Sequence, residues 1–283
     1  MNGARPIGVV GAGTMGAGIA QCLAEAGREV IVVDPVPGAL TRGIDRLREG
    51  LRLAKQLRRL PSAPPPDALA LVRWTTEITD LTAACFVIEC APERLALKDK
   101  IFAELDAVCR PDAVLASCTS TVPVERLAAN TRRPDRVLAT HFMNPAPLRR
   151  PVEVVRGALT SDNTVDRTLA LLADLGKQGL VVREFVSTRV VLLAVNEAAH
   201  VVQAQTADPS TVDKIFQDCL GHAMGPLATA DLIGLDTVLD SLVVLQEYTN
   251  DPRFAPSRLL ADLVCAGHLG RKTGRGFHSY PTR

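Results

Sequence analysis

A doubly wound α/β sheet followed by an all-helical C-terminal domain is the fold class that this sequence predicts, on three observations. Short runs of branched apolar residues alternate with helical stretches through the first half of the chain, as buried parallel strands joined by crossover helices do. A glycine-rich turn, Gly11-Ala12-Gly13-Thr14-Met15-Gly16, directly follows the first of those runs and opens a helix. Beyond about residue 183 the strand pattern stops and only helical periodicity continues.

Taken in order, residues 7–10 and 30–33 are apolar, branched and short, the signature of strands covered on both faces. Between them residues 14–26 carry helical spacing and end at Gly27, a C-terminal cap. A basic helix is expected over residues 38–60, broken into a rigid turn by the tract 61–66, Pro-Ser-Ala-Pro-Pro-Pro. Further strands are expected at 86–89, 114–117 and 136–140, with a helix over 97–108 between the first two, and 152–155 adds an extended run. Residues 186–205, 212–219, 227–245 and 257–266 read as helices, the first of them forming the joint. The chain therefore divides at 1–183 and 184–283, with no internal repeat.

With 283 residues, 47% of them hydrophobic, the chain can build one large domain or two modest ones. A formal net charge of +1 gives no global field to recruit nucleic acid or an anionic membrane, so neither partner is expected. The seven cysteines are scattered with no Cys-x-x-Cys pair, which reads as reduced thiols in a cytoplasmic protein without a disulfide framework or zinc site. No run of about 18 apolar residues occurs. The first apolar run, at Ile7, is itself a motif strand, so no secretory segment is expected before it.

The glycine turn carries the first chemistry. Gly11 makes the tight turn, Gly13 lets the backbone approach a pyrophosphate, and Gly16 lets helix and strand pack closely. Thr14 and Met15 stand at the helix start, where unpaired N–H groups and the positive dipole end attract phosphates. Asp34 closes the second strand, placed to accept from an adenosine ribose and to repel a 2′-phosphate. Pro35 and Val36 supply no compensating cation. A Rossmann-type domain with NAD as cofactor, in preference to NADP, is the expectation.

The second constellation stands at His141-Phe142-Met143-Asn144-Pro145-Ala146-Pro147, followed by Val152-Glu153-Val154-Val155. A histidine at a strand's C-terminal end, with a carboxylate on the next extended run, suits a charge-oriented acid–base pair. Taken alone, a histidine beside Asn-Pro is as readily structural. Together with VVGAGTMGAGIAQ, VIECAPERLALKDKIFAELD, SCTST, MGPLATADLIGLD and LGRKTGRGF, this segment resembles the 3-hydroxyacyl-CoA dehydrogenase family over nearly the whole chain.

The resemblance implies NAD-dependent interconversion of L-3-hydroxyacyl and 3-oxoacyl thioesters. It makes His141 the general acid–base and Glu153 the group that orients and charge-stabilises it, with Ser120 on the substrate oxygen. It places Glu93, Lys98, Ser120, Asn144 and Lys272 at the cofactor, and it makes the C-terminal helices a homodimerisation domain. By spacing alone, Glu93 and Lys98 also read as an ordinary surface pair.

Departures from the family pattern bear on substrate. Ser117-Cys118-Thr119-Ser120-Thr121 stands for the usual Ser-Asn-Thr-Ser-Ser, and the joint is shortened at Arg183-Glu184-Phe185-Val186-Ser187-Thr188-Arg189. Thr188 takes the place of a substrate-binding asparagine, keeping a hydroxyl but losing the amide's paired donor and acceptor. Cys118 reads as a small packing residue with nothing nearby to lower its pKa. His200, His222, His268 and His278 have no carboxylate or cysteine partner at ligand spacing.

Arg42, Arg46, Arg48, Arg52, Lys55, Arg58 and Arg59 crowd the basic helix, either as a solvated face or as a dock for coenzyme A phosphates or an acyl carrier protein. Three functions follow: the dehydrogenase acting on acyl-CoA, the same chemistry on a carrier-bound small hydroxyacyl group as in polyketide extender-unit supply, and a degenerate NAD-binding structural or regulatory protein.

Overall fold

The computed structural model describes residues 5–56 and 67–281. The proline tract 61–66 and the basic positions Arg58 and Arg59 lie outside the described residues. The chain divides into two compact units, Met1–Glu184 and Phe185–Arg283.

The first unit holds β1 (Ile7–Val10), β2 (Val30–Val33), β3 (Val72–Thr75), β4 (Phe86–Glu89), β5 (Val114–Ser117), β6 (Val137–Phe142), β7 (Pro151–Arg156) and β8 (Gln178–Val182). They form one sheet in the order β3-β2-β1-β4-β5-β6-β7-β8. Every residue of β1, β2, β4 and β5 is buried, which is why these strands read as unbroken apolar runs. The pairs from β3 through β6 are parallel; β7 runs antiparallel to β6, and β8 lies parallel to β7. The two edge strands are absent from the sequence expectation for a physical reason. In β3 only Val72 is buried, and in β8 Gln178, Leu180 and Val181 are exposed, so neither shows the inside–outside contrast that marks a strand.

Helices α1 (Thr14–Glu25), α2 (Pro37–Gln56), α3 (Leu95–Val108), α4 (Val124–Ala128) and α5 (Asp162–Asp174) flank the sheet. α1 buries Ile19, Ala20 and Leu23 against β1 and β2, and it stops where Gly27 adopts φ +74°. α5 is not in the sequence expectation, although its cap was legible: the Ser161 side chain accepts from Thr164 N–H.

The second unit holds α6 (Val186–Gln203), α7 (Pro209–Asp218), α8 (Pro226–Ile233), α9 (Leu235–Thr249) and α10 (Arg258–Cys265) around Leu192, Val195, Leu235, Val238, Leu242, Phe254 and Leu260. The expected single helix over 227–245 is two. Gly234 sits at φ +106°, ends α8 through its N–H on Ala230 O, and lends its carbonyl to Val238 N–H in α9. α7 starts earlier than expected because Asp208 caps it, accepting from Thr211 N–H ahead of Pro209. Among the described residues, no helix is long and apolar enough to cross a membrane.

Two buried carboxylates fasten the C-terminal segment to these helices. Asp213 accepts from Leu227 N–H and Ala228 N–H at 2.8 Å each, at the open start of α8, and also pairs with His278 Nε2 at 2.7 Å. His278 therefore has a carboxylate partner after all, one 65 positions away that no local spacing reveals. Asp231 accepts from Phe277 N–H, His278 N–H and the Tyr280 hydroxyl, all at 2.9 Å. Burial and then the Asp231 carboxylate push the Tyr280 phenol up to about 12, against the pull of Arg271.

A group whose pKa is raised on folding adds stability below its unfolded value, about 10 for tyrosine, and loses it as pH climbs toward 12. The protein has two tyrosines. Spectrophotometric titration is expected to show one ionising late, near pH 12, and Tyr280→Phe is expected to delete that phase. The thermal stability lost in Tyr280→Phe, relative to wild type, should be largest below pH 10 and fade between 10 and 12.

Candidate active site

The strand order reverses between β1 and β4, with β2 on one side of β1 and β4 on the other. Such a switch point opens a crevice at the carboxyl ends of the strands. The loops after β1, β4 and β5 all leave from that edge.

The glycine loop is built for an anion. Gly11 adopts φ +102°, and a Cβ on Gly16 would stand 1.9 Å from Gly11 O, so only glycine lets α1 sit this close to the loop. Nothing lies within 4 Å of where a Cβ on Gly13 would be. Gly13 and Thr14 are exposed and Met15 is half-buried. α1 has no side-chain cap and no acidic residue in its first turn. An open approach to uncapped N–H groups at a helix start fits a pyrophosphate. Asp34 fixes the loop from beneath: its Oδ2 accepts from Ala12 N–H at 2.9 Å and its Oδ1 from Val36 N–H at 3.0 Å. These residues fit a bound NAD, with the Asp34 carboxylate held at the end of β2.

The acid–base pair comes from sheet register. His141 on β6 and Glu153 on β7 are direct cross-strand partners, so both side chains stand on one face. His141 Nδ1 lies 2.8 Å from Glu153 Oε2, and Nε2 lies 3.1 Å from Ser120 Oγ. With Glu153 accepting from Nδ1–H, Nε2 keeps its lone pair and points at the serine. The pair is largely shielded, the two side chains being 12% and 7% exposed. Asn144 is exposed on the β6–β7 connection. That connection is tethered by Lys177, whose Nζ donates to Ala146 O at 2.6 Å and Arg149 O at 2.9 Å.

Ser120 is positioned by a charged cluster. Glu93 Oε1 accepts from Ser120 N–H at 3.0 Å, from Thr121 N–H at 3.3 Å, from Thr121 Oγ1 at 3.2 Å and from the Thr119 hydroxyl. Its Oε2 meets Lys98 Nζ at 3.2 Å. Lys98, expected among the cofactor contacts, is 1% exposed. Its ammonium donates to Glu89 Oε1 at 2.8 Å, Glu89 Oε2 at 2.9 Å and Ala91 O at 3.1 Å. With its N–H groups taken by protein oxygens, Lys98 serves Glu89 and Glu93 in this arrangement. Burial draws the Lys98 ammonium down, but Glu89 and Glu93 together hold it above its ordinary value. Burial likewise pushes Glu93 up, and Lys98 with the Thr119 and Ser120 donors more than offsets it, leaving the carboxyl below its ordinary range.

Glu89 and Lys177 are the site-supporting residues that sequence reading missed. Glu89 had one signal, a carboxylate ending the apolar strand Phe-Val-Ile-Glu. Lys177 had none. Cys118 also differs from expectation, since a hydrogen bond from the Cys90 thiol draws it below its ordinary value while Cys90 itself is pushed up. Register explains the meeting: Glu89 pairs with Ser117 across β4 and β5, and the cysteines follow directly. In the C-terminal unit, Thr188 is half-buried early in α6, and Lys272 Nζ is held by Asp236 at 2.6 and 2.5 Å.

Comparison with known proteins agrees over residues 6–280. Residues 6–185 match the 3-hydroxyacyl-CoA dehydrogenase NAD binding domain, and residues 185–280 match the C-terminal domain of the same family. The chain is 41% identical over 281 residues to a 3-hydroxybutyryl-CoA dehydrogenase of Mycobacterium tuberculosis, spanning 97% of this chain and 98% of that protein. It is 39% identical over 279 residues to a probable 3-hydroxybutyryl-CoA dehydrogenase of Bacillus subtilis, spanning 98% and 97%. The crystal structure of (S)-3-hydroxybutyryl-CoA dehydrogenase from Ralstonia eutropha superposes with a TM-score of 0.92 at 40% identity, covering 98% of this chain and 99% of that one.

The placement of Asp34 gives a direct test of cofactor choice. NADH is expected to bind at least about tenfold more tightly than NADPH, roughly 1.4 kcal/mol, because a 2′-phosphate would meet an uncompensated carboxylate. Fluorescence titration with both nucleotides measures the gap, and Asp34→Ser is expected to narrow it.

Proposed function

The chain belongs to the 3-hydroxyacyl-CoA dehydrogenase family, and on that premise we propose how its own residues divide the reaction. It is an NAD-dependent oxidoreductase of 3-hydroxyacyl-CoA. The observation that carries the division of labour is the continuous chain from Ser120 Oγ through His141 to Glu153, at 3.1 and 2.8 Å.

In the oxidative direction His141 Nε2 takes the proton of the substrate's 3-hydroxyl group. Glu153 keeps Nδ1–H directed and stabilises the imidazolium that forms. Ser120 Oγ, within reach of the same nitrogen, fixes the substrate oxygen there. In the reverse direction His141 returns the proton to the 3-oxo oxygen. When bound, NAD supplies the hydride acceptor, and the chain supplies position and charge. The glycine loop, Asp34, Glu93 and Asn144 serve the cofactor, and Lys98 serves it through Glu93. Thr188 and Lys272 are assigned to substrate and cofactor respectively.

A second reading, the same chemistry on a carrier-bound acyl group, is favoured by one feature. Arg42, Arg46, Arg48, Arg52 and Lys55 on α2 are all exposed, and among the described residues Arg48 and Arg52 pair with acids of the same helix. An acidic carrier surface or coenzyme A phosphates would each complement that face. Comparing kcat/KM for acetoacetyl-CoA with that for the same acyl group on a carrier protein separates them.

The mechanism predicts that His141→Ala loses at least ~10²-fold in kcat on acetoacetyl-CoA while NADH affinity holds. Glu153→Gln is expected to lower kcat too, and the double variant to be far from additive because the two act as one unit. Near-wild-type turnover by His141→Ala would refute this assignment.

The helical unit is assigned to homodimer formation. Val186, Val190, Leu220, Leu232 and Ile233 are each more than 40% exposed, apolar side chains that a second copy would cover. Sedimentation is expected to give twice the 30.2 kDa chain mass at micromolar concentration. A monomer there would contradict the assignment.

A further inference from the structure

We propose that Glu89 is a positioning residue for the reaction: from inside the fold, and through Lys98 and Ser117, it sets where the Ser120 hydroxyl stands. The inference rests on the role given above to Ser120 and deepens it.

Glu89 is fully buried at the end of β4. It nevertheless accepts four hydrogen bonds from three neighbours. Both of its oxygens face the Lys98 ammonium, at 2.8 and 2.9 Å. Its Oε1 also accepts from Ala91 N–H at 2.6 Å, and its Oε2 from Ser117 Oγ at 2.6 Å. Two routes run from there to Ser120. Along the first, Glu89 orients Lys98, Lys98 holds Glu93 Oε2, and Glu93 Oε1 receives the N–H groups of Ser120 and Thr121 with the hydroxyls of Thr119 and Thr121. Along the second, Glu89 holds the Ser117 hydroxyl, which accepts from Thr119 N–H at 3.2 Å. Thr119 Oγ1 then takes Thr121 N–H at 3.2 Å and Val122 N–H at 2.9 Å, closing the turn.

Charge balance explains why a carboxylate is needed here rather than any acceptor. One buried ammonium lies between two carboxylates. With Glu89 ionised, Lys98 is compensated from below, and Glu93 remains free to gather the four donors of the turn. With a neutral amide at position 89, the whole attraction of Lys98 falls on Glu93, the counter-charge that remains on that ammonium among the described residues. The carboxylate is drawn down toward Lys98, and the turn carrying Ser120 loses or follows its acceptor. A displacement of about 1 Å at a group that positions substrate is enough to cost up to about 10²-fold in rate.

A double-mutant cycle tests this. Glu89→Gln is nearly isosteric and is expected to lower kcat on acetoacetyl-CoA about tenfold when measured at saturating NADH. In a Ser120→Ala background the same substitution is expected to lower kcat less than about twofold, because the group it positions is already gone. A role in general stability alone would lower Tm in both backgrounds and leave the kcat losses independent. Should Glu89→Gln fail to fold, Ser117→Ala carries the same cycle, since it cuts the second route with every charge in place. Its expected loss of about threefold should likewise vanish without Ser120. If Ser120→Ala alone leaves turnover at the wild-type level, the role of Ser120 fails and this inference with it. If Ser120→Ala is slow and the two losses simply multiply, the positioning role of Glu89 is overturned while the mechanism stands.

Discussion

The reversal of chain direction between β6 and β7 is the constraint on which the site depends. An imidazole can be held in one tautomer only if its carboxylate partner stands on the same face and at hydrogen-bonding distance. Antiparallel neighbours directly opposite one another meet both conditions without further adjustment. Had β7 joined the sheet parallel to β6, a longer crossover would have been needed, and the close pairing of His141 with Glu153 would not have followed from a single connection. That connection is itself held, because Lys177 donates to carbonyl oxygens of the residues between the two strands. β8 then adds beside β7 as an edge, with three of its five residues exposed.

Beneath the serine, the protein buries charge where apolar packing would be simpler. A buried ion pair is seldom worth more than well-packed hydrophobic residues, whereas removing one partner costs about 3–5 kcal/mol. Glu89 and Lys98 therefore add little to stability that leucine and methionine could not supply. What they add is direction. A lysine with its N–H groups engaged, together with a carboxylate that gathers several donors, fixes a turn that lies past the end of strand β5. Ser117 is the last residue of β5, and the three residues after it reach Ser120.

Much of this was legible beforehand because it obeys local rules. The glycine loop announces itself, since steric demands at Gly11 and Gly16 admit nothing larger, and its place between strand and helix is written in adjacent residues. His141 and Glu153 were legible as a candidate acid–base pair from their strand context, and the resemblance to a family is what favoured that reading over a structural one. By spacing alone the histidine was equally a structural one. Glu93 and Lys98 showed the limit of spacing more sharply. On a helix surface, residues five apart suggest a solvated pair, yet α3 begins only at Leu95, so Glu93 lies on the preceding loop and Lys98 turns inward beneath it.

By itself the sequence determined the class of fold, the positions of the buried strands, the dinucleotide turn and the Asp34 carboxylate, because each is set by the sterics and polarity of neighbouring residues. Tertiary structure alone decided which groups meet across long stretches of chain. Glu89 reaches Ser117, 28 positions away, and His278 reaches Asp213, 65 positions away. It also decided that Lys98 is interior, that Gly234 divides one apolar stretch into two helices, and that Cys118 lies against Cys90. The physical reason is common to all of these. Burial and charge pairing depend on what lies across the sheet or beneath the turn, and one-dimensional periodicity carries no record of those neighbours.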